Sequence, residues 1–246
     1  MLVLQPHIFN EFPEIIFGFS TKIGPGKSPY YFNLSLSVDD DKETVINNRK
    51  IFFESLGIKP ESAAFQKQVH GDTITYVSEP GNIGDSDAMI TDKTNTSLCI
   101  STADCTSIFI YDPEKKIIAG IHSGWRGTQK QITSKTIDQL KSEFGCRAND
   151  LFVYLGPSVS QVNYEVGREV ADLFDARYVI KENNKLFLDV ASANYDMVNN
   201  SGVPSNQIQK SSLCSFEYKE MLHSYRRDGK RSGRALGVIA LREPLC

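Results

Sequence analysis

The sequence predicts a single mixed α+β domain, with strands paired in the core and helices kept apart from them. Three observations carry that expectation. The 246 residues hold 40% apolar and 23% charged side chains, an ordinary soluble balance in a chain able to take roughly 70–75% of its unfolded surface out of water. Apolar runs of strand length recur, several of them closed by glycine or Asp-Pro turns. Helical spacing occupies separate blocks, and no internal repeat, low-complexity tract or linker divides the chain.

Taken in order, Leu2–Leu4 and Ile15–Ser20 read as short strands around Pro13, and residues 21–31 as an exposed loop. Phe32–Val38 alternates apolar and polar residues, as a half-buried strand does. Asp39-Asp40-Asp41 reads as a solvated turn and helix cap, since no calcium-loop spacing follows. Glu43–Leu56 has helical spacing in Val45, Phe52 and Leu56, and Gly57 ends it. Arg49 lies among those apolar positions, either as a snorkelling arginine or as one aimed at an anionic ligand. Ala63–Val69 reads as a strand ending in Gln68-Val69-His70-Gly71, with Ile74–Val77 as its return. Asp85–Thr91 and Leu98–Ile100 follow. Ser107–Tyr111 and Ile117–Ile121 flank an Asp112-Pro113 turn and read as adjacent strands. Thr128–Phe144 reads as one helix through Ile132, Ile137, Leu140 and Phe144. Leu151–Leu155 is a strand, Glu165–Phe174 a helix, and Val190–Asn199 a helix capped by Asp189 and stopped at Gly202. Residues 224–234 form a hairpin loop before a buried final strand, Leu236–Leu241.

Composition excludes several functions. A net charge of −3 provides no bulk basic field for nucleic acid or an anionic membrane. The cysteines, Cys99, Cys105, Cys146, Cys214 and Cys246, are odd in number and never in CxxC spacing, which argues against a zinc ribbon and suits a reducing compartment. The N-terminal stretch carries neither a basic n-region nor a long apolar core, so no signal peptide or membrane span is expected and the cytoplasm is the expected location.

The chemistry gathers at strand ends. Of the four histidines, His70 and His122 each follow an apolar run and precede a glycine-bearing turn, and Cys105 starts the strand before His122. A lone histidine is more often structural than ligating; two with matching placement plus a thiol make a two-histidine, one-thiolate set. That set suits zinc with a fourth position left for water, whose pKa zinc lowers to about 7. Asp104 either orients a ligand and accepts a proton or caps the turn. Ser224–Arg234 concentrates arginines, Arg227 among them, around two glycines beside Tyr225. Such a loop is usually solvated, yet arginine grips phosphate bidentately. Arg126 lies in Gly-Trp-Arg-Gly directly before a helix start, where backbone N–H groups favour an anion. No P-loop or dinucleotide fingerprint is present.

Six blocks occur in a fixed order: Gln68-Val69-His70-Gly71, Asp87-Ala88-Met89-Ile90-Thr91, Thr102-Ala103-Asp104-Cys105, His122-Ser123-Gly124-Trp125-Arg126-Gly127, Leu155-Gly156-Pro157 and Ser224-Tyr225-Arg226-Arg227-Asp228. Together they resemble the laccase-domain family, formerly labelled polyphenol oxidase or peptidoglycan editing factor and now understood as purine nucleoside phosphorylases with adenosine deaminase activity. The likeness covers nearly the whole chain. It implies a layered sandwich with packed β-sheets inside and helices outside, and zinc on His70, Cys105 and His122. It also maps an asparagine-containing strand to Asn33 and a helix arginine to Arg49. Where the family often has Val-Gly-Asp, this chain has Val38-Asp39-Asp40. The implied reaction cleaves adenosine, inosine, guanosine or methylthioadenosine with phosphate, giving base and ribose 1-phosphate, and removes the amino group of adenosine with water. Asp104 is the candidate proton shuttle. Arg49, Arg126 and Arg227 are the candidate phosphate anchors, and Phe32, Trp125 or Tyr225 can stack on a base. The expected assembly is a monomer or small homo-oligomer.

Three other readings compete. A copper oxidase of phenols sits poorly with four histidines in all, although copper remains an adventitious or alternative metal. A cysteine hydrolase acting on cell-wall precursors would use Cys105 as nucleophile with His122 or His70 as base. A non-enzymatic binding domain would turn over no nucleoside.

Overall fold

Two apolar runs joined by an Asp-Pro turn should pair antiparallel and, being apolar on both faces, lie between two layers. The computed structural model, which describes residues 1–242, has that arrangement. The order begins with β1 (Val3–Leu4), β2 (Ile15–Ser20) and α1 (Lys42–Ser55). Next come β3 (Ala63–Lys67), β4 (Ile74–Tyr76), β5 (Gly81–Asp85), β6 (Ala88–Thr91), β7 (Ser97–Thr102), β8 (Thr106–Asp112) and β9 (Ile117–Ser123). α2 (Trp125–Gln129), α3 (Ile132–Phe144), β10 (Phe152–Leu155), β11 (Glu165–Val166), α4 (Arg168–Ala171), β12 (Val179–Glu182) and β13 (Lys185–Leu188) follow. α5 (Val190–Asn200), β14 (Ile208–Lys210), α6 (Tyr225–Asp228) and β15 (Ala235–Leu241) end it.

Two six-stranded sheets stack face to face, one in the order β1-β2-β15-β7-β3-β5 and the other β14-β10-β8-β9-β6-β4. Between them Phe17, Phe19, Leu98, Ile100 and Ile239 meet Met89, Phe109, Tyr111 and Ile118 in one core. Alternate residues point outward and bury a helix on each side. Phe52 and Phe53 of α1 pack with Leu236 and Val238 on the first sheet. On the second, Ile132, Ile137 and Leu140 of α3 and Val198 of α5 cover Ile108, Ile110 and Ile121. The layered α+β sandwich is as expected. A small sheet, β11-β13-β12, attaches outside.

Local chemistry explains the helix ends. Asp41 caps α1, its carboxylate accepting the Thr44 N–H at 2.8 Å, and Asp189 does the same for α5 through the Ser192 N–H at 2.8 Å. Gly145 closes α3 at φ 66°, a left-handed position that favours glycine.

Several sequence expectations are corrected. Phe32–Val38 is a loop, because the Asn33 side chain binds both the N–H and the C=O of Ser35 and so diverts backbone groups that a ladder would need. Ile74–Tyr76 is not the return of β3; it pairs parallel with β6 in the other sheet. The helix expected over Thr128–Phe144 is two helices broken at Gln131, which stands at φ 61°. Only Arg168–Ala171 of the stretch 165–174 is α-helical, with Glu165 and Val166 in a strand. The basic stretch 224–234 is not a hairpin: it holds α6 and a 3-10 turn. The four cysteines among the described residues are all free, and Cys246 lies outside them. No helix among the described residues is long and apolar enough to cross a membrane.

His223 gives the fold a pH dependence. It is 3% exposed and donates from Nε2 to the Phe32 carbonyl at 3.4 Å. Burial pushes its pKa down from 6.5 to about 3, so the folded chain keeps it neutral. The unfolded chain protonates it first, so its contribution is complete above pH 6.5 and is lost as the pH falls toward 3. At about 1.4 kcal/mol per pH unit, unfolding free energy should drop by about 2–3 kcal/mol between pH 6.5 and 4.5 from this group alone. Urea melts of His223→Gln should show a drop smaller by that amount than the parent chain.

Candidate metal centre

The site forms where the chain crosses between the two sheets. β3 belongs to the first sheet and β4 to the second, so the link carrying His70 crosses over. The link from β7 to β8, carrying Asp104 and Cys105, crosses in the same way. His122 is the second-to-last residue of β9. The register Thr106↔Ser123 and Ser107↔His122 brings the start of β8 against the end of β9. His70, Cys105 and His122, separated by 35 and 17 positions in sequence, thereby converge, with their ligand atoms within 4.8 Å of one another.

Two of the crossings use backbone that non-glycine residues seldom adopt: His70 at φ 58° and Asp104, directly before Cys105, at φ 95°. Such positions persist where the surroundings over-determine them and concentrate at functional sites. Asp87 is the determinant for His70. Fully buried, it accepts the His70 N–H at 3.1 Å, the Val69 N–H at 3.2 Å and the Gly71 N–H at 2.6 Å. It also accepts His122 Nδ1–H at 2.8 Å, which leaves His122 Nε2 for the centre. Burial alone would raise the Asp87 pKa, but His122 and the Gly71 N–H hold it below the ordinary value. A carboxylate behind a ligating histidine fixes its tautomer and its direction. The sequence reading quoted the Asp87 block without giving Asp87 this role. Its partners lie 16 to 35 residues away, so only the fold discloses it.

The turn after His122 is held from below. Ser123 Oγ and Thr133 Oγ1 donate to Asn194 Oδ1 at 2.9 and 2.7 Å, and Asn194 Nδ2 donates to Thr128 Oγ1 at 2.9 Å. All four side chains are fully buried. Gly124 closes the turn because a Cβ there would stand 2.9 Å from Cys105 Sγ and 3.2 Å from the His70 ring.

Cys105 Sγ lies 4.0 Å from His70 Nε2, and the two imidazoles meet edge to face with centroids 4.9 Å apart. Burial raises the Cys105 pKa, yet the imidazoles of His122 and His70 outweigh it and bring the thiol down to about 6. Burial lowers His122, while the Cys105 sulfur and the Asp87 carboxylate raise it to about 9. The set fits a zinc-type ion by donor chemistry. It offers a thiolate, one imidazole with a carboxylate behind it, and a second imidazole on the exposed side. Ordinary zinc bond lengths space donors about 3.3–3.6 Å apart, a small contraction from the arrangement found. The other histidines stay apart: His223 is buried against Phe32 and His7 sits in an exposed 3-10 turn.

Around the trio the other expected site residues separate. Asp104 accepts Ser215 Oγ–H at 2.6 Å and the Arg226 N–H at 2.6 Å, so both its oxygens are engaged. Arg126 is exposed, its guanidinium 4.2 Å from the Trp125 ring centroid. Arg227 is not free to bind an anion. All five of its N–H groups are engaged, with the carbonyls of Ser215, Phe216 and Leu222 and with both oxygens of Asp228. Arg49 donates Nε–H to the Leu34 carbonyl at 2.7 Å and stacks over Phe65, contacts with the Asn33 loop and the outer sheet face rather than with the trio. Asn33 is fully buried with both amide ends bonded, so it faces no open site. Phe32 is fully buried and offers no face to a base. Trp125 packs with Tyr164 and Phe174, whereas Tyr225 is 50% exposed.

Sequence reasoning passed over Tyr164 and left Arg226 and Arg234 unassigned. Burial raises the Tyr164 pKa to about 12, and Cys105, Arg226, Asp104 and Arg126 are the charges it feels. Arg226 stacks on its ring at 5.0 Å.

The chain matches the family model described as multi-copper polyphenol oxidoreductase laccase over residues 16–242. It is 34% identical over 229 residues to a Clostridium acetobutylicum protein named purine nucleoside phosphorylase, covering 90% of this chain and 91% of that one. A Bacteroides thetaiotaomicron protein of the same name is 33% identical over 228 residues, covering 85% and 84%. Among solved structures, the Bacillus licheniformis hypothetical protein YfiH superposes with a TM-score of 0.92 at 26% identity, covering 98% of this chain and 96% of that one. YlmD from Geobacillus stearothermophilus superposes at 0.90 with 28% identity, covering 94% and 93%.

Proposed function

The chain belongs to the multi-copper polyphenol oxidoreductase laccase family, and from that premise we propose that it is a zinc-dependent purine nucleoside phosphorylase that also deaminates adenosine. The observation that carries this reading is the His70–Cys105–His122 trio set beside cations that no carboxylate neutralises. Among the described residues neither Arg126 nor Arg226 has a carboxylate within salt-bridge distance. A phosphate and a nucleoside need such a combination of positive charge, an aromatic rim and an electrophilic centre. The relatives that carry the name purine nucleoside phosphorylase span nearly the same length.

His70, Cys105 and His122 would hold the metal, and Asp87 would keep His122 Nε2 facing it. When bound, zinc supplies a Lewis acid able to activate water at neutral pH. The chain's own residues supply the rest. Arg126, at the exposed edge, would draw phosphate to the mouth. Tyr164 and Tyr225 offer aromatic faces to a purine. In phosphorolysis a phosphate oxygen forms a bond to ribose C1′ while the C1′–N9 bond breaks. The electron pair leaves with the purine, which takes up a proton, and ribose 1-phosphate remains. Asp104 is the candidate to accept and return a proton in deamination. It would have to release Ser215 or the Arg226 N–H to do so. The donor set argues for zinc over a multi-copper centre, since only three ligands gather among the described residues and neither His7 nor His223 joins them.

One observation favours a second reading. Asp87, His122 and Cys105 follow the order of orienter, base and nucleophile, with Asp87 2.8 Å from His122 Nδ1, and a thiolate is favoured without metal. A cysteine hydrolase acting on cell-wall precursors would use them so. Adenosine incubated with and without phosphate separates the readings. Adenine and ribose 1-phosphate should form only with phosphate, and inosine should form regardless. Iodoacetamide should alkylate Cys105 in the metal-free chain and so prevent its reactivation by zinc, but leave the zinc-loaded chain largely protected. No base release with any purine nucleoside, combined with thiol-dependent hydrolysis, would support the hydrolase instead.

A further inference from the structure

We propose that Arg234, clamped by Asn33, is the fixed phosphate anchor of this site. The assignment rests on the phosphorolysis reading and adds the residue that positions the nucleophile.

The two exposed arginines are poor candidates for that role. Arg126 and Arg226 can gather anions, but both are exposed, and Arg226 already gives an Nη2–H to the Glu165 carbonyl at 2.9 Å. Arg234 differs in three respects. First, its backbone is pinned on both sides: its N–H donates to Asn33 Oδ1 at 2.9 Å, and its carbonyl accepts the Leu34 N–H at 3.2 Å. Asn33 is itself immobile, giving Nδ2–H to Ser35 O at 3.1 Å and to Asp40 at 3.0 Å, while its carbonyl accepts from Asn48 Nδ2 at 3.1 Å.

Second, the guanidinium is only partly engaged. Nη1 donates to the carbonyls of Ser232 at 2.7 Å and Gly233 at 3.0 Å. Among the described residues, Nε and Nη2 have no partner, and no carboxylate lies within salt-bridge distance of Arg234. The Tyr225 ring, 5.3 Å away, covers it. A half-buried cation without a counter-ion is costly, and an anion accepting its two free donors side by side would offset that cost.

Third, it lies near the centre: Ala235 pairs with Thr102, so Arg234 stands beside the link that carries Asp104 and Cys105. Burial lowers the Arg234 pKa, and the charges that restore it are Asp104 first and then Cys105. Both Asp104 oxygens are already bonded elsewhere, so Asp104 does not occupy the free donors. Arg49 is the rival, since it also reaches the Asn33 loop. Its Nε–H is already given to the Leu34 carbonyl, and its guanidinium stacks over Phe65 on the α1 side of the first sheet. On this reading Asn33 is a positioning residue that acts through Arg234 without touching substrate.

The test is calorimetric titration of inorganic phosphate into the zinc-loaded full chain, paired with the phosphate dependence of nucleoside cleavage. Arg234→Gln should weaken phosphate binding and raise the phosphate KM by about tenfold to a hundredfold, with the nucleoside KM moving less than about threefold. Arg234→Lys should recover only part, since a point charge replaces a fork. Asn33→Ala should raise the phosphate KM in the same direction by a smaller factor, and Arg49→Gln should leave it nearly unchanged. Unaltered phosphate binding in a folded Arg234→Gln chain overturns the assignment while leaving phosphorolysis standing. Phosphate binding that needs Arg234 in a chain that cleaves no nucleoside would sink the phosphorolysis reading and keep the anchor. A larger loss from Arg49→Gln than from Arg234→Gln would move the anchor to Arg49.

Discussion

Cys105→Ala is expected to release the metal and abolish both base release and deamination. Removing an outer-shell partner of a metal ligand typically costs 10–100-fold in affinity, so loss of one of three direct ligands should exceed about a hundredfold. Activity alone would not separate the readings, because a nucleophilic cysteine would be lost in the same way. Metal content does. Zinc bound per chain should fall from about one to near zero after dialysis, and His122→Ala should behave alike. The fold should survive, because Cys105 lies half-buried at a strand tip and outside the hydrophobic clusters that join the sheets. Stoichiometric metal retained by Cys105→Ala would exclude the sulfur as a ligand.

Asp87→Asn should have the second largest effect, through two routes. The carboxylate accepts from three backbone N–H groups and from His122. An asparagine offers a single oxygen and turns an NH2 toward at least one of those donors. A buried group left facing another donor costs about 1–3 kcal/mol, and more where a charged partner was lost, so unfolding free energy should fall by about 2–4 kcal/mol. His122 also loses the negative charge that aligns it and helps to raise its pKa. Zinc affinity should therefore weaken by about 10–100-fold. Competition with a chelator reads the second effect and urea unfolding reads the first. An unchanged zinc affinity would remove Asp87 from the account of the centre, whatever happened to stability.

Much of this was legible before any fold was known, and the reasons are physical. β8 and β9 each carry an apolar run and are buried along their whole length because both faces are covered, and the glycine-bearing exits after His70 and His122 mark where strands end. Those cues pointed to the trio and to strands paired in the core, while the layered sandwich was implied by the family resemblance. Register and partner choice were not legible, since a period of two does not say which strand lies alongside; hence β4 was paired with the wrong neighbour. Phe32–Val38 alternates like a strand, yet Asn33 bonds the backbone of Ser35 and folds the segment into a loop. Charge counting located the arginine-rich stretch but not the state of each guanidinium. Arg227 has every donor engaged, whereas Arg234, directly after Gly233, keeps two free. Asp87 showed nothing beyond an acidic residue before a strand, because three of its partners come from the crossing link after β3 and the fourth, His122, from β9 beside β6.

The central claim is that one metal ion is held at the sheet crossing by two imidazoles and a thiolate. X-ray absorption at the zinc edge of the loaded full chain tests it directly. The account predicts one sulfur at about 2.3 Å and two nitrogens at about 2.0–2.1 Å in the coordination shell, with a lighter atom completing it, and no sulfur in whatever metal Cys105→Ala retains. A shell of nitrogen and oxygen alone in the unaltered chain would contradict it.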